Sequence, residues 1–218
     1  MKLGILGGTF NPIHMGHLRL AEEMCEELTL SKVLLMPGAQ PPHKDGRRVT
    51  PFTDRLEMTK IGASYSRYLE ASDIEGQRKG PSYSIETIRI IREKYGSETE
   101  LFFILGSDAF SEIGTWKEYK NLFRITNFVV IERPGFTLGE LDGFIESLGV
   151  GLKEEKLKNV FLNSSGNYVY IKKTTKLDIS STKIRHDIRT GKSINFIVPQ
   201  KIIEYITEKG LYKNNEVS

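Results

Sequence analysis

The segment Gly7-Gly8-Thr9-Phe10-Asn11-Pro12-Ile13-His14-Met15-Gly16-His17 places two histidines three residues apart, just beyond a short apolar run from Leu3 to Leu6. Glycines at 7 and 8 let the backbone approach a ligand without side-chain obstruction. A helix that begins beyond such a turn aims its free N–H groups and its positive dipole end at an anion. His14 and His17, both at that helix start, can converge on one phosphate. The pattern is neither G-x-G-x-x-G nor the Gly-Lys-Ser/Thr loop. As metal ligands the two histidines have no obvious local carboxylate or cysteine to complete a set, so phosphate chemistry is the expectation. Near the other end, Ile179-Ser180-Ser181-Thr182-Lys183-Ile184-Arg185 sets hydroxyls at a second helix start, with Arg185 one turn inside. Such hydroxyls are often only caps. The same geometry offers hydroxyls, N–H groups and a guanidinium to a polyphosphate.

Gly-x-Phe-x-Pro-x-His-x-Gly-His resembles the signature of the HxGH nucleotidyltransferases, and the second segment resembles their ISSTxxR element. The resemblance implies in-line attack of an acceptor phosphate on the α-phosphorus of ATP, with pyrophosphate expelled and no covalent enzyme intermediate. His14 and His17 would then be catalytic, binding the α-phosphate and stabilising the developing charge. Gly8, Thr9 and Phe10 would form the phosphate turn, and Ser181, Thr182 and Arg185 would hold the β- and γ-phosphates. Such catalysis is positioning plus electrostatics.

Three further segments are similar to nicotinate-nucleotide adenylyltransferases. Pro41-Pro42-His43-Lys44 looks like the family's PPHK loop, with Lys44 neutralising phosphate; outside that context a loop lysine is ordinarily just solvated. Pro81-Ser82-Tyr83-Ser84-Ile85-Glu86-Thr87 is similar to its SYTxxT pattern, so Ser84 and Thr87 would bind the nicotinate group, their bland role being to cap a helix. Gly106-Ser107-Asp108 resembles its G-x-D, whose Gly106 and Asp108 contact ribose hydroxyls. Trp116, the only tryptophan, would stack on the pyridine ring, and Arg133 would stand at the rim on the adenosine side. Asn11 occupies a place where the family often has aspartate. The implied substrates are ATP with Mg²⁺, the ion held mostly by phosphates and water, and nicotinate mononucleotide. The rivals are another adenylyltransferase of the HxGH group, such as one acting on phosphopantetheine, and a non-catalytic nucleotide sensor.

The elements that must position these groups follow from apolar periodicity. Strands are expected at Leu3–Leu6, Val33–Met36, Leu69–Ile74, Leu101–Leu105, Phe128–Ile131 and Tyr168–Ile171, most of them short apolar runs without a polar face. Between them lie helical patterns from Gly16 to Leu28 (Leu20, Met24 and Leu28 on one face), after a Thr53 cap, and from Ser84 to Lys94. Further helices are expected around Leu141–Leu148, from Ser180 and after Pro199. Strands alternating with helices predict an α/β, doubly wound, Rossmann-like parallel sheet, in which ligands bind beyond the carboxyl ends of the strands. A chain of 218 residues fits one nucleotidyltransferase domain, 1–218, with a surface excursion at 136–166 and a C-terminal helical part at 180–210. A net charge of +3 does not call for nucleic acid. No apolar run approaches the roughly 20 residues of a membrane span. The single Cys25 cannot form an internal disulfide, consistent with a cytoplasmic protein. Nothing in the pattern settles oligomeric state, and a homo-oligomer stays open.

Overall fold

The computed structural model describes residues 1–40, 49–78, 80–132 and 138–213. Its elements follow the expected alternation: β1 (Lys2–Gly8), α1 (Met15–Glu27), β2 (Lys32–Pro37), α2 (Phe52–Ala63), β3 (Leu69–Ala71), α3 (Ser84–Tyr95) and β4 (Glu100–Gly106). Then come α4 (Ser107–Ser111), α5 (Tyr119–Ile125), β5 (Asn127–Ile131), α6 (Leu138–Ser147), β6 (Lys153–Glu154), β7 (Val160–Leu162), β8 (Tyr168–Lys172), α7 (Ser181–Arg189) and α8 (Gln200–Lys209). The sheet order is β3-β2-β1-β4-β5-β8-β7-β6. β1 with β4, β4 with β5, β5 with β8, and β2 with β3 pair in parallel. This is the predicted α/β class, and the central strands β1, β4 and β5 are mostly apolar and buried, as a parallel sheet requires. No helix among the described residues is long and apolar enough to cross a membrane.

The chain forms two compact units. The first comprises residues 1–6 and 83–174, with a core in which Phe110, Phe123 and Phe128 are in mutual ring contact and Phe103 meets Phe128 edge-on. The second comprises residues 7–82 and 175–218, and it carries the glycine turn, α1, α2, α7 and α8.

Three local expectations are refined. α1 buries Leu18, Ala21, Met24 and Cys25 rather than a stripe through Leu20 and Leu28, which are half-buried. α2 begins one residue before Thr53, with Pro51 at its cap position, where proline's missing N–H costs nothing. The segment read as an excursion holds α6, with Ile145 and Leu148 buried, and two short strands that add antiparallel edges to β8.

Candidate active site

In the second unit β1 runs out at Gly8, where a Cβ would lie 2.6 Å from the Phe10 ring, so only glycine fits. Phe10 itself is left-handed (φ 47°) and its ring is buried. This folds the turn back so that His14, in extended conformation, becomes the cap of α1. The His14 amide donates to Nδ1 of His17 at 3.3 Å. An acceptor Nδ1 carries no proton, so a neutral His17 presents Nε2 as a donor. The two rings stack with centroids 3.7 Å apart, and Phe10 meets His17 edge-on at 5.0 Å. Gly16 has its own reason: a Cβ there would press within 3.1 Å of the His14 ring. Spacing and glycine together therefore produce one stacked, aimed pair.

The second motif is bonded to this turn. Ser180 performs the capping of α7, accepting from the Lys183 amide at 3.2 Å. Ser181 is thereby left to donate to the carbonyl of Pro12 at 2.8 Å. Arg185 donates to the carbonyl of Asn11 at 2.7 Å and to the Thr182 hydroxyl at 3.3 Å. Desolvation lowers the Arg185 pKa, but arginine starts so high that it stays a cation.

One residue of this region was not foreseen. Arg55 is only 1% exposed and donates to the carbonyls of Thr9 and Gly38, each at 2.7 Å, and of Thr50 at 2.8 Å. Burial lowers its pKa too. It fastens the glycine turn to the end of β2. The available signal was its place on the buried stripe of α2, in register with Met58, Thr59 and Gly62.

In the first unit, Ser84 opens α3, and Tyr83 rather than Ser84 holds the cap position. Thr87 is buried, with its hydroxyl donating to the Tyr83 carbonyl at 3.3 Å. Trp116 is half-buried, edge-on to Phe103 with centroids 6.1 Å apart. Its neighbour Lys117 bonds Glu86 at 2.6 Å and lies 4.5 Å above the Tyr83 ring, so Trp116 stands beside the start of α3. Gly106 ends β4, and Asp108 is exposed in the short α4 that follows. Lys44 and Arg133 lie outside the described residues.

Comparison with known proteins places the chain in a family. Residues 5–187 match the cytidylyltransferase-like family model. A protein of Pelobacter propionicus named "Probable nicotinate-nucleotide adenylyltransferase" is 42% identical, covering 97% of this chain and 98% of its own. One of Syntrophotalea carbinolica with the same name is 40% identical over the whole of both chains. Among solved structures, Plasmodium falciparum nicotinic acid mononucleotide adenylyltransferase complexed with NaAD superposes with a TM-score of 0.74 over 98% of each chain, at 21% identity. The same protein complexed with APC gives 0.72. At that identity the likeness speaks for the fold, whereas the two bacterial relatives are alike along their full length. With its motif histidines stacked and its second motif bonded to their turn, the chain belongs to the nicotinate-nucleotide adenylyltransferase family, within the cytidylyltransferase-like group.

Proposed function

We propose that this protein transfers the adenylyl group of ATP to nicotinate mononucleotide, giving nicotinate adenine dinucleotide and pyrophosphate in NAD biosynthesis in the cytoplasm. The observation that carries the reading is the bonding of Ser181 and Arg185 to the carbonyls of Pro12 and Asn11, beside the stacked His14 and His17. That set offers N–H and O–H donors and positive charge, the groups a polyphosphate needs. Among the described residues no three His, Cys, Asp or Glu side chains gather to hold a metal. Mg²⁺ would enter as part of the MgATP substrate, held mostly by phosphates and water.

In this mechanism an oxygen of the acceptor phosphate forms a bond to the α-phosphorus. The bond to the bridging oxygen breaks, and its electron pair leaves on pyrophosphate. His17, through Nε2–H, and His14 stabilise charge on the α-phosphate, within the turn of Gly8, Thr9 and Phe10. Arg185 neutralises charge on the departing phosphates, Thr182 donates its hydroxyl to them, Ser181 holds the facing turn through Pro12, and Lys44 adds charge. Trp116 and Ser84 receive the nicotinate group. Thr87, buried one turn into α3 with its hydroxyl on the Tyr83 carbonyl, belongs to the same nicotinate-binding segment. Gly106 and Asp108 bind ribose, and Arg133 serves the adenosine side.

The test is pyrophosphate release from MgATP with nicotinate mononucleotide, nicotinamide mononucleotide and phosphopantetheine offered separately. Selective turnover of the nicotinate compound is the expected result; turnover with phosphopantetheine alone would overturn the acceptor. His17→Ala should lower kcat by about a hundredfold or more with little change in thermal stability. An unchanged kcat would remove His17 from the chemistry.

A further inference from the structure

The last described turn of the chain reaches back to the catalytic end of its own unit. α8 stops at Gly210 (φ 64°), with the Leu211 amide donating to Ile206 and the Gly210 amide to Thr207. This pair of bonds reverses the chain at a helix end. Tyr212 follows and is itself left-handed (φ 64°), a conformation that a bulky residue keeps only when its contacts outweigh the cost. Its phenol donates to Oδ1 of Asn11 at 3.0 Å, across 201 residues of sequence, and is hydrogen-bonded to the Thr50 side chain. Asn11 is only 4% exposed.

Those two partners share a property. The backbone carbonyl of Asn11 accepts from Arg185, and the backbone carbonyl of Thr50 accepts from Arg55. Both guanidinium groups also lie within electrostatic reach of the phenol. A phenol supplies one donor and one acceptor there without adding the negative charge that would cancel the two cations.

We propose that Tyr212 is a positioning residue for adenylyl transfer: through Asn11 and Thr50 it fixes the carbonyls that aim Arg185 and Arg55, and so sets where the triphosphate is held. The inference rests on the adenylyl-transfer reading for its kinetic consequences, and on the hydrogen bonds alone for its structural ones.

Tyr212→Phe keeps the ring and removes the hydroxyl. Tyr205→Phe is the control for a lost phenol hydrogen bond: Tyr205 is on α8 and donates to Asp54 at 2.8 Å rather than to Asn11 or Thr50. Tyr212→Phe should lower kcat about tenfold and raise KM for ATP, leaving KM for nicotinate mononucleotide within about twofold. Tyr205→Phe should leave all three near wild type while lowering the melting temperature comparably. Wild-type kinetics in Tyr212→Phe, or an equal kinetic loss in both variants, overturns the positioning role. Nε–Hε NMR signals of Arg55 and Arg185 give a readout that needs no turnover. They should move in Tyr212→Phe and stay put in Tyr205→Phe; unmoved signals in both overturn the inference. A wild-type protein that releases no pyrophosphate would refute the reaction, and the arginine signals would still decide the role of Tyr212.

Discussion

Arg55 carries a full charge into the interior and replaces its hydration with backbone carbonyls of Thr9, Gly38, Ala39 and Thr50, from three separate stretches of chain. A lysine there would keep the charge but present a compact ammonium in place of a planar fork. Arg55→Lys should therefore lose on the order of 3 kcal/mol of stability, because buried carbonyls are left unpaired. Urea denaturation would measure it, and a variant as stable as wild type would show that Thr9 and Gly38 need no such clamp. The residue was invisible in the sequence for a physical reason. A charged side chain in a helix is ordinarily solvated, and partners that are backbone carbonyls leave no trace in side-chain spacing. His14, His17, Ser181 and Arg185 could be singled out because the phosphate chemistry proposed for them requires particular side chains at fixed intervals. Spacing could not reveal that Ser181 and Arg185 bond the carbonyls of Pro12 and Asn11.

Helix α1 is tied to the approach of α7 by one carboxylate. Glu23 receives the amide of Thr175 at 2.9 Å, its hydroxyl, and Arg19 at 2.7 Å. Burial acts to raise the Glu23 pKa, but the bonds from Thr175 and Arg19 overcome it and hold the group below 4.5. A carboxyl depressed in the folded state contributes stability that is complete above its unfolded pKa and is lost as pH falls through the folded one. Glu23→Gln should thus be less stable than wild type at neutral pH, with the difference shrinking below about pH 4.5. Denaturation at neutral and acidic pH tests this; a gap independent of pH would exclude the ionised form as its source. Most elements were legible because short apolar runs and helical periods are set by burial alone. The strands Lys153–Glu154 and Val160–Leu162 were not, since two or three residues establish no period. β3 ends at Ala71, short of the expected Ile74, because beyond Ser72 the chain enters a turn closed by the Gly76 amide on the Asp73 carbonyl.

At the scale of the whole molecule, the α/β alternation could be read without the structure, whereas the long-range bonds that organise the second unit could not. Two of those bonds involve tyrosines. Burial is the first cause that pushes the phenols of Tyr205 and Tyr212 up from 10.0 to about 12, and for Tyr205 the bonded Asp54 adds to it. A phenol whose folded pKa is raised contributes stability that is complete below the unfolded value and is lost as pH climbs through the folded one. Stability should therefore fall between about pH 10 and about pH 12. A Tyr205→Phe/Tyr212→Phe double variant should fall less steeply across that window. Parallel slopes for the two proteins in alkaline denaturation would contradict the assignment.

The bonds from Ser181 to Pro12 and from Tyr212 to Asn11 span 169 and 201 residues. A ribosome adding about 5–20 residues per second makes the motif turn roughly 10–40 s before its last brace exists. A nascent chain, or one ended prematurely by a damaged message, would carry both motif histidines without the braces that aim Arg185. Such fragments should be catalytically silent. Activity would then report a chain translated at least as far as Tyr212.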